Sequence, residues 1–368
     1  MKINVLDAGL RSKPGHHYDF DRKLTRWLSE AGHDVHVYGN VEMEDEIAEK
    51  MSALAPLTRH FRAYHYHPAD KVDFYAGELV MFERQVASLT EDLKAVRDAD
   101  VWIWPSIRAQ HLTACAQSGT DAAVVGCVHE DPGIAERSID AMLWRTALLK
   151  AQESSLRYII GAVEAELRQR FMFILPDARF PIFPHPYDGP PIDKPKEALK
   201  RIGVFGQQRD EKGVKQMAHL FRLLVNDGYE VVFQDSAGLP KRLDHPNLTV
   251  LDYVEDISSE LRKCDLVIMP YEIESYRIRG SGILTDCLSL GIPVVGPFGT
   301  IPGRTIERYG SGPLFVRTTA EVIFSTVKFA DRSFAKYAQD AFKAAQSFSK
   351  RNGVARYAEA ILAAASRL

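Results

Sequence analysis

Short apolar segments alternate with longer amphipathic segments along nearly the whole chain. The apolar segments predict strands at residues 3–6, 35–38, 101–104, 123–128, 158–160 and 181–183, and again at 201–205, 230–234, 248–251, 266–269, 293–295 and 314–316. The amphipathic segments predict helices at residues 18–31, 78–97, 107–118, 140–155, 164–171, 212–226, 256–263, 282–290 and 320–329, with a last helical region at 333–366 that breaks near Asn352. Strands that are apolar throughout and joined by helices form parallel sheets covered on both faces. The pattern therefore predicts an α/β fold built from doubly wound sheets.

A proline-rich segment at residues 184–195 divides this alternation into two halves, and it holds five prolines and one glycine. Such a run forms neither a helix nor a central strand, so we interpret it as an interdomain linker. The predicted organisation is an N-terminal Rossmann-like domain at residues 1–185, a linker at 186–198, a C-terminal Rossmann-like domain at 199–335 and terminal helices at 336–368. Two doubly wound domains are expected to bind ligands in a cleft between the carboxyl ends of their sheets.

Composition and charge exclude several classes of protein. The chain of 368 residues carries 46 basic and 49 acidic side chains, a net charge of −3, so no overall basic surface indicates a nucleic-acid partner. Its four cysteines form no CxxC pair, which is typical of reduced thiols in a cytoplasmic protein. The start lacks the features of a signal peptide, and no apolar run reaches the ~20 residues of a membrane span. We therefore predict a cytoplasmic protein whose only membrane contact would be peripheral, at the inner face.

The stretch from Cys264 to Pro297 carries the strongest functional signal. A buried strand is followed by a polar loop, a Gly280-Ser281-Gly282 turn and a short helix that contains Asp286. A glycine turn at a helix start exposes backbone N–H groups and the positive end of the helix dipole, which together bind anions. Arginines before the turn and carboxylates on either side of it suit a ligand with a diphosphate and a polyhydroxyl group, as in a nucleotide sugar. The basic and acidic candidates in the loop are Glu272, Glu274, Arg277 and Arg279.

A second loop of the C-terminal half reads RIGVFGQQRDEKG. The predicted strand ends before Gly206, and Lys212 is predicted to begin a helix. Both loops follow strands of one parallel sheet, so their charges are expected to converge. Arg209 would make bidentate phosphate contacts and Lys212 a point-charge contact.

These two motifs resemble the donor half of retaining glycosyltransferases with the GT-B fold, and they are most similar to the large family four. The resemblance is clearest over residues 200–310 and weaker in the first half, where AGHDVHVY is similar to the family's G-H-x-V entry to the second strand. It implies transfer of a hexose from a UDP- or GDP-sugar to a hydroxyl of a glycan or lipid-linked acceptor, in polysaccharide or glycolipid synthesis. It also implies that the terminal helices cross back to the N-terminal domain.

The resemblance assigns roles to individual residues of the C-terminal half. Lys212 matches the family's phosphate-binding lysine, whereas Gln207 stands where the family has an arginine, a role that Arg209 would take over. Glu274, with Glu272 as the second choice, would contact the sugar near the reacting carbon, and Asp286 would hold the ribose hydroxyls. Eleven residues lie between Glu274 and Asp286, four more than in the family. The other predicted donor contacts are Gly206, Arg279, Gly280, Ser281 and Gly282.

The N-terminal half supplies further candidates after its strands. The loop after the first strand contains Gly15, which would let a donor phosphate approach closely, and His16 and His17, which we assign to the acceptor. His129 follows an apolar strand and matches a histidine that the family carries close to the donor sugar. The basic and aromatic segment 58–67 contributes Arg59 and Tyr64 as acceptor contacts, because arginines pair with phosphate and aromatic rings stack on sugars.

Other chemistries fit the sequence less well. Asp19 and Asp21 spell a D-x-D pattern inside a predicted helix, a poor position for a metal site, and we expect no metal or organic cofactor. A G-x-G-x-x-G fingerprint for NAD is absent. Two alternatives stay open: a sugar-nucleotide epimerase on the same fold, and a non-catalytic nucleotide-binding or scaffold protein, which Gln207 and the altered carboxylate spacing would favour.

Overall fold

The computed structural model describes residues 1–12, 16–63, 76–132, 139–176, 179–206, 208–235, 245–252, 254 and 256–368, without the side chains of 16, 76 and 78. The chain divides into two compact units. The N-terminal unit consists of Met1–Pro186 together with Gly353–Leu368, and the C-terminal unit is Tyr187–Asn352. Each described helix is too short or too polar to cross a bilayer.

The N-terminal unit is built on a six-stranded parallel sheet with the order β3-β2-β1-β4-β5-β6. Its strands are β1 (Lys2–Leu6), β2 (Asp34–Asn40), β3 (Leu57–Phe61), β4 (Val101–Trp104), β5 (Ala123–Val128) and β6 (Tyr158–Ala162). Its helices are α1 (His16–Glu30), α2 (Asp45–Ser52), α3 (Ala76–Lys94), α4 (Ala109–Ser118), α5 (Asp140–Glu153), α6 (Ala165–Ile174) and, from the end of the chain, α14 (Val354–Ala365). Side chains alternate between the two faces of each strand, so Val5 packs into one buried cluster and Leu6 into another.

The C-terminal unit repeats the architecture with the parallel order β12-β11-β10-β7-β8-β9. Its strands are β7 (Arg201–Val204), β8 (Glu230–Gln234), β9 (Leu248–Leu251), β10 (Leu266–Ile268), β11 (Val294–Pro297) and β12 (Leu314–Phe315). Its helices are α7 (Val214–Asn226), α8 (Ile257–Lys263), α9 (Ile273–Tyr276), α10 (Gly282–Leu290), α11 (Ile301–Tyr309), α12 (Ala320–Arg332) and α13 (Phe334–Ser349). The predicted α/β class with two doubly wound sheets is confirmed.

Some predicted elements were wrong. Residues 181–183 make a single bridge between Ala162 and Ile182 instead of a strand. Lys212 does not begin the long helix: it ends one 3-10 turn, and α7 starts only after Gly213. The cause is the left-handed backbone of Gly213, whose φ of 73° interrupts the helical path.

The terminal helical region breaks as predicted, and its two parts lie in different units. Helix α13 belongs to the C-terminal unit and α14 to the N-terminal unit. Gly353, with a φ of 119°, separates them, and its N–H donates to the carbonyl of His185 over 2.8 Å. Tyr357 and Ile361 of α14 are fully buried in the N-terminal core.

Candidate active site

Two loops of the C-terminal unit follow neighbouring strands of its sheet. Residues after β7 form one loop, and residues after β10 lead through α9 to the start of α10. Strands β7 and β10 are paired in parallel, so their carboxyl ends lie at the same edge of the sheet. This edge is where open α/β folds bind ligands.

Gly206 shapes the first loop. Its φ is 95°, and its N–H donates to the Oε1 of Gln234 over 2.8 Å. A Cβ at this position would lie 2.7 Å from the Nζ of Lys212. The backbone angle therefore requires glycine here, and the lysine ammonium lies in the space that a side chain would occupy.

Lys212 is held against the start of the second loop. The adjacent Gly213 packs so closely on Pro270 that a Cβ would lie 2.0 Å from the Pro270 carbonyl oxygen. The Nζ of Lys212 lies 5.6 Å from the ring centroid of Tyr271. Burial, together with the like charges of Arg209 and Arg279, lowers the pKa of Lys212 to about 8, against the opposing charge of Glu211.

Tyr271 connects this lysine to the start of α10. Its ring is buried, and its hydroxyl lies 3.0 Å from the Oγ of Ser281. Ser281 caps α10, since its Oγ accepts the N–H of Leu284 over 3.3 Å. The structure therefore brings Gly206, Lys212 and Ser281 together from two separate segments.

The first turn of α10 presents an open surface beside this group. Gly282 is exposed, and nothing lies within 4 Å of the position that a Cβ would occupy. Asp286 lies one turn further along and thus on the same helix face, where it is half-buried. Gly280 directly precedes the Ser281 cap. The exposed helix start favours an anion.

Two arginines converge near Lys212. The guanidinium groups of Arg209 and Arg279 lie 3.9 Å and 3.4 Å from the same oxygen of Glu211. Arg279 also lies over the Tyr276 ring, 6.0 Å from its centroid. Two arginines, one from each loop, thus meet at one carboxylate, and their charges act on the neighbouring Lys212.

The two candidate glutamates differ in their surroundings. Glu274 lies on α9, where the sequence predicted a loop, and its side chain is 80% exposed and paired with Arg277 over 2.6 Å. Glu272 is half-buried, and its N–H donates to the carbonyl of Glu211 over 2.9 Å. Glu272 is thus attached directly to the loop of Lys212, whereas the described contact of Glu274 is with Arg277.

In the N-terminal unit, His129 follows β5. Its Nε2 lies 2.9 Å from the Pro105 carbonyl, and its ring contacts Phe20 edge-on at 5.9 Å. Burial lowers the pKa of His129, against the opposing effect of the Pro105 carbonyl. The ring is therefore held as a neutral imidazole that donates to Pro105.

His17 forms a buried pair with Asp7, a pairing that the sequence analysis did not predict. The Nδ1 of His17 lies 2.6 Å from the carboxylate of Asp7, which also accepts the N–H of Gly9 over 2.7 Å. Burial alone would raise the pKa of Asp7, but the His17 charge and these hydrogen bonds outweigh it, so the pKa is lowered. A signal was present, since an aspartate at a strand end precedes a histidine at a helix start. The Asp7 bond orients the ring so that Nδ1 is the donor.

The remaining candidates lie elsewhere. Arg59 is on the edge strand β3, in a segment for which no strand was predicted, and it pairs with Asp45 at the start of α2. Gly15, Tyr64 and Gln207, together with the His16 side chain, lie outside the described residues. A cavity of about 550 Å³ lies at the amino end of β7, between Glu197–Lys200 and Asp331–Lys336, and contains none of the candidates.

The whole chain is similar in fold to solved glycosyltransferases. One from Rickettsia africae has a TM-score of 0.70 at 10% identity, covering 100% of this chain and 97% of its own. Anabaena HepE, solved in complex with UDP, has a TM-score of 0.68 at 16% identity with 100% of both chains covered. SnogD from Streptomyces nogalater has a TM-score of 0.63 at 19% identity, with 99% of both covered.

At such identities the likeness concerns the fold: the chain has the two-domain α/β architecture of these GT-B enzymes. No protein-family model matches the sequence, and no curated protein matches it.

Proposed function

We propose that this protein is a glycosyltransferase that moves a hexose from a nucleoside diphosphate sugar to a hydroxyl of a glycan or glycolipid. The observation that carries the proposal is the meeting of Lys212 and the start of α10 through Tyr271. A partly buried ammonium and an exposed helix N-terminus on one side of a sheet edge form a site for a diphosphate.

The diphosphate is the leaving group of the reaction, and it gains negative charge as the sugar departs. Lys212, Arg209 and Arg279 would stabilise that charge together with the first turn of α10. Because the chain itself supplies these cations, the proposed reaction needs no metal. Asp286, one turn into α10, would accept the ribose hydroxyls of the nucleotide.

We propose retention of the anomeric configuration, as the resemblance to family four implies. In this mechanism the acceptor hydroxyl attacks from the side of the departing diphosphate, and no protein nucleophile is required. His129 and either Glu274 or Glu272 would contact the sugar, and the N-terminal unit would hold the acceptor. The proposed transfer reaction would take place in the cytoplasm and serve polysaccharide or glycolipid synthesis. Any contact of the protein with a membrane would be peripheral. The four unpaired, buried cysteines suit a reducing compartment.

One observation favours a second candidate, transfer with inversion. The Nδ1 of His17 lies 2.6 Å from the Asp7 carboxylate, so the two side chains form a carboxylate–imidazole pair. Such a pair can act as a general base that takes the proton of an acceptor hydroxyl. Inversion needs this base, whereas the proposed retaining mechanism does not.

The stereochemistry of the product distinguishes the two mechanisms. The full chain is incubated with UDP-glucose, UDP-galactose or GDP-mannose and a panel of glycan and lipid-linked acceptors, and the anomeric coupling of the product is read by NMR. We expect nucleotide release that depends on the acceptor, with an α-linked product from an α-linked donor. A β-linked product would establish inversion, and an epimerised donor formed without any acceptor would refute glycosyl transfer.

A further inference from the structure

A buried carboxyl group lies beside the Asp7–His17 pair. Asp21 follows His17 by one turn on α1, which places both side chains on the same face of the helix. Asp21 is fully buried, and neither of its carboxyl oxygens has a hydrogen-bond donor among the described residues. A buried carboxylate without donors is strongly destabilised, so its charge state needs an explanation.

The neighbour that supplies the explanation is Asp7. Asp21 is placed beside Asp7 by helix α1, because His17, one turn before Asp21, is bonded to Asp7 over 2.6 Å. The side chains of the two acids interact with each other. Two ionised carboxylates are both acceptors and repel each other, whereas one proton between them turns one acceptor into a donor. Asp7 already receives hydrogen bonds from Gly9 and His17, which favour its ionised form. The proton therefore belongs on Asp21.

The other groups around Asp21 add no positive charge. Thr25 lies one turn further along α1 with its hydroxyl buried, and Tyr357 of α14 contributes a second buried hydroxyl. The Tyr357 side chain interacts with Cys127 of β5. At the end of β5, His129 interacts electrostatically with Asp7 and His17.

Burial and the charge of Asp7 both raise the pKa of Asp21 well above its ordinary value. The only described group here that can carry a positive charge in contact with either carboxyl is His17, and it is bonded to Asp7.

We propose that Asp21 is a neutral acid that donates a hydrogen bond to Asp7 and thereby acts as a positioning residue for His17. Asp7 then accepts three hydrogen bonds, from Gly9, His17 and Asp21, and its carboxylate cannot rotate away from the imidazole. The chain Asp21–Asp7–His17 fixes the orientation of the His17 ring and the nitrogen that carries its proton. The importance of this for turnover rests on the proposed function, but the charge state of Asp21 does not.

The test is carried out by NMR on the full chain without substrates. The carboxyl carbons of the aspartates and the ring atoms of His17 are followed between pH 5 and pH 8. In the wild type, we expect the Asp21 carbon to keep the chemical shift of a neutral acid at pH 6 to 7. An ionised Asp21 in this range would overturn the proposal, and this measurement needs no variant.

Substitutions then separate positioning from simple packing. Asp21→Asn keeps a donor to Asp7 and removes no charge if the acid is neutral, so the pKa of His17 should be nearly unchanged. Asp21→Ala removes the donor, which strengthens the pull of Asp7 on the imidazolium and should raise the pKa of His17. Asp19→Asn, on the same helix at a side chain that is 50% exposed and paired with Arg22 and Lys23, is the matched control. If Asp21→Asn lowered the pKa of His17 by about one or more, the lost charge of an ionised Asp21 would be the cause, and the proposal would be wrong.

The measurement contains neither a sugar donor nor a sugar acceptor. The charge state of Asp21 that it reports is therefore independent of glycosyl transfer. A protein without transferase activity could still show a neutral Asp21, and an active transferase could show an ionised one.

Discussion

At the residue scale, Lys212 is the side chain on which the proposed binding of the diphosphate depends most. Its ammonium lies against Gly206 and Tyr271, and burial together with two nearby arginines lowers its pKa to about 8. A bound diphosphate favours the charged form of the lysine. Near pH 8 the side chain is therefore only partly charged in the free protein, and it becomes fully charged when the diphosphate binds.

This surrounding predicts a pH dependence of UDP binding. Below about pH 8 the free lysine is protonated and the affinity should be constant; above it, each binding event must first protonate Lys212, so the affinity should fall as the pH rises. The phosphates of UDP lose their last proton at pH ~6, so they do not contribute to the pH dependence in this range. Calorimetry from pH 7 to pH 9.5, in buffers of different ionisation enthalpy, should show proton uptake near pH 8. A flat affinity across this range, or the same pH profile in Lys212→Ala, would contradict the assignment.

The sequence predicted some site residues and missed others for a physical reason. Lys212 and Ser281 were predicted because glycine turns after strands are local signals. Asp7 meets His17 and Asp21 only because one particular face of α1 lies next to the end of β1. No local sequence pattern specifies which face of a helix lies there. Asp21 was noted only as part of a D-x-D pattern, which the sequence analysis rejected as a metal site because it lies inside a predicted helix.

At the scale of elements, α10 carries the anion-binding argument. Its N-cap is satisfied by Ser281, and the open surface at Gly282 places no side chain between the first-turn N–H groups and a ligand. An acid in the first turn of a helix normally stabilises it by about 0.3–1 kcal/mol. An acid in the first turn of α10 would also repel a bound diphosphate. Introducing one should therefore keep or raise the stability of the fold while it lowers the affinity for the diphosphate.

We therefore predict that Gly282→Asp leaves the melting temperature equal or slightly higher and weakens UDP binding at least tenfold. Gly282→Asn is the matched control, because it has the same shape without the charge, and it should bind UDP clearly more tightly than Gly282→Asp. Thermal unfolding and calorimetric titration measure the two effects. Equal UDP affinities of the Asp and Asn variants would show that no anion binds at this helix start.

The elements that the sequence did not predict are α2, β3, α9 and α11, and each of them is short, with nine residues or fewer. Strand β3 lies at an edge of its sheet and reads LTRHF, with only Phe61 fully buried. Helix α9 has four residues, and the first turn of α11 contains Pro302 and Gly303, which indicate a turn when read without their context. Central strands and long amphipathic helices were predicted because burial on both faces or on one face leaves a clear pattern.

At the scale of the whole molecule, the chain completes its N-terminal unit with its last helix. Ile361 of α14 is fully buried in the core that also contains Val5 and Leu24. All four tryptophans, Trp27, Trp102, Trp104 and Trp144, belong to this unit. Tryptophan fluorescence therefore reports the unfolding of the N-terminal unit alone.

Ile361→Ala should destabilise that unit by about 2–5 kcal/mol, the usual cost of removing a buried isoleucine side chain. Urea unfolding followed by tryptophan fluorescence should show the transition at a clearly lower urea concentration. Phe329→Ala, at a 55% exposed position of α12 in the C-terminal unit, is the control. In this variant the fluorescence transition should occur at the same urea concentration as in the wild type. An unchanged transition in Ile361→Ala would mean that α14 is not part of the N-terminal core in solution.

The proposed division of labour depends on diphosphate binding by the C-terminal unit. The most direct test is a calorimetric titration of the full chain with UDP and with GDP, in the wild type, in Lys212→Ala and in Lys215→Ala. Lys215 is an exposed lysine three residues away on α7 and serves as the matched control. We predict one site for one of the two nucleotides, weakened at least tenfold (about 1.4 kcal/mol) in Lys212→Ala and nearly unchanged in Lys215→Ala. Absence of binding by the wild type, or equal binding by all three proteins, would contradict the proposed nucleotide-sugar site.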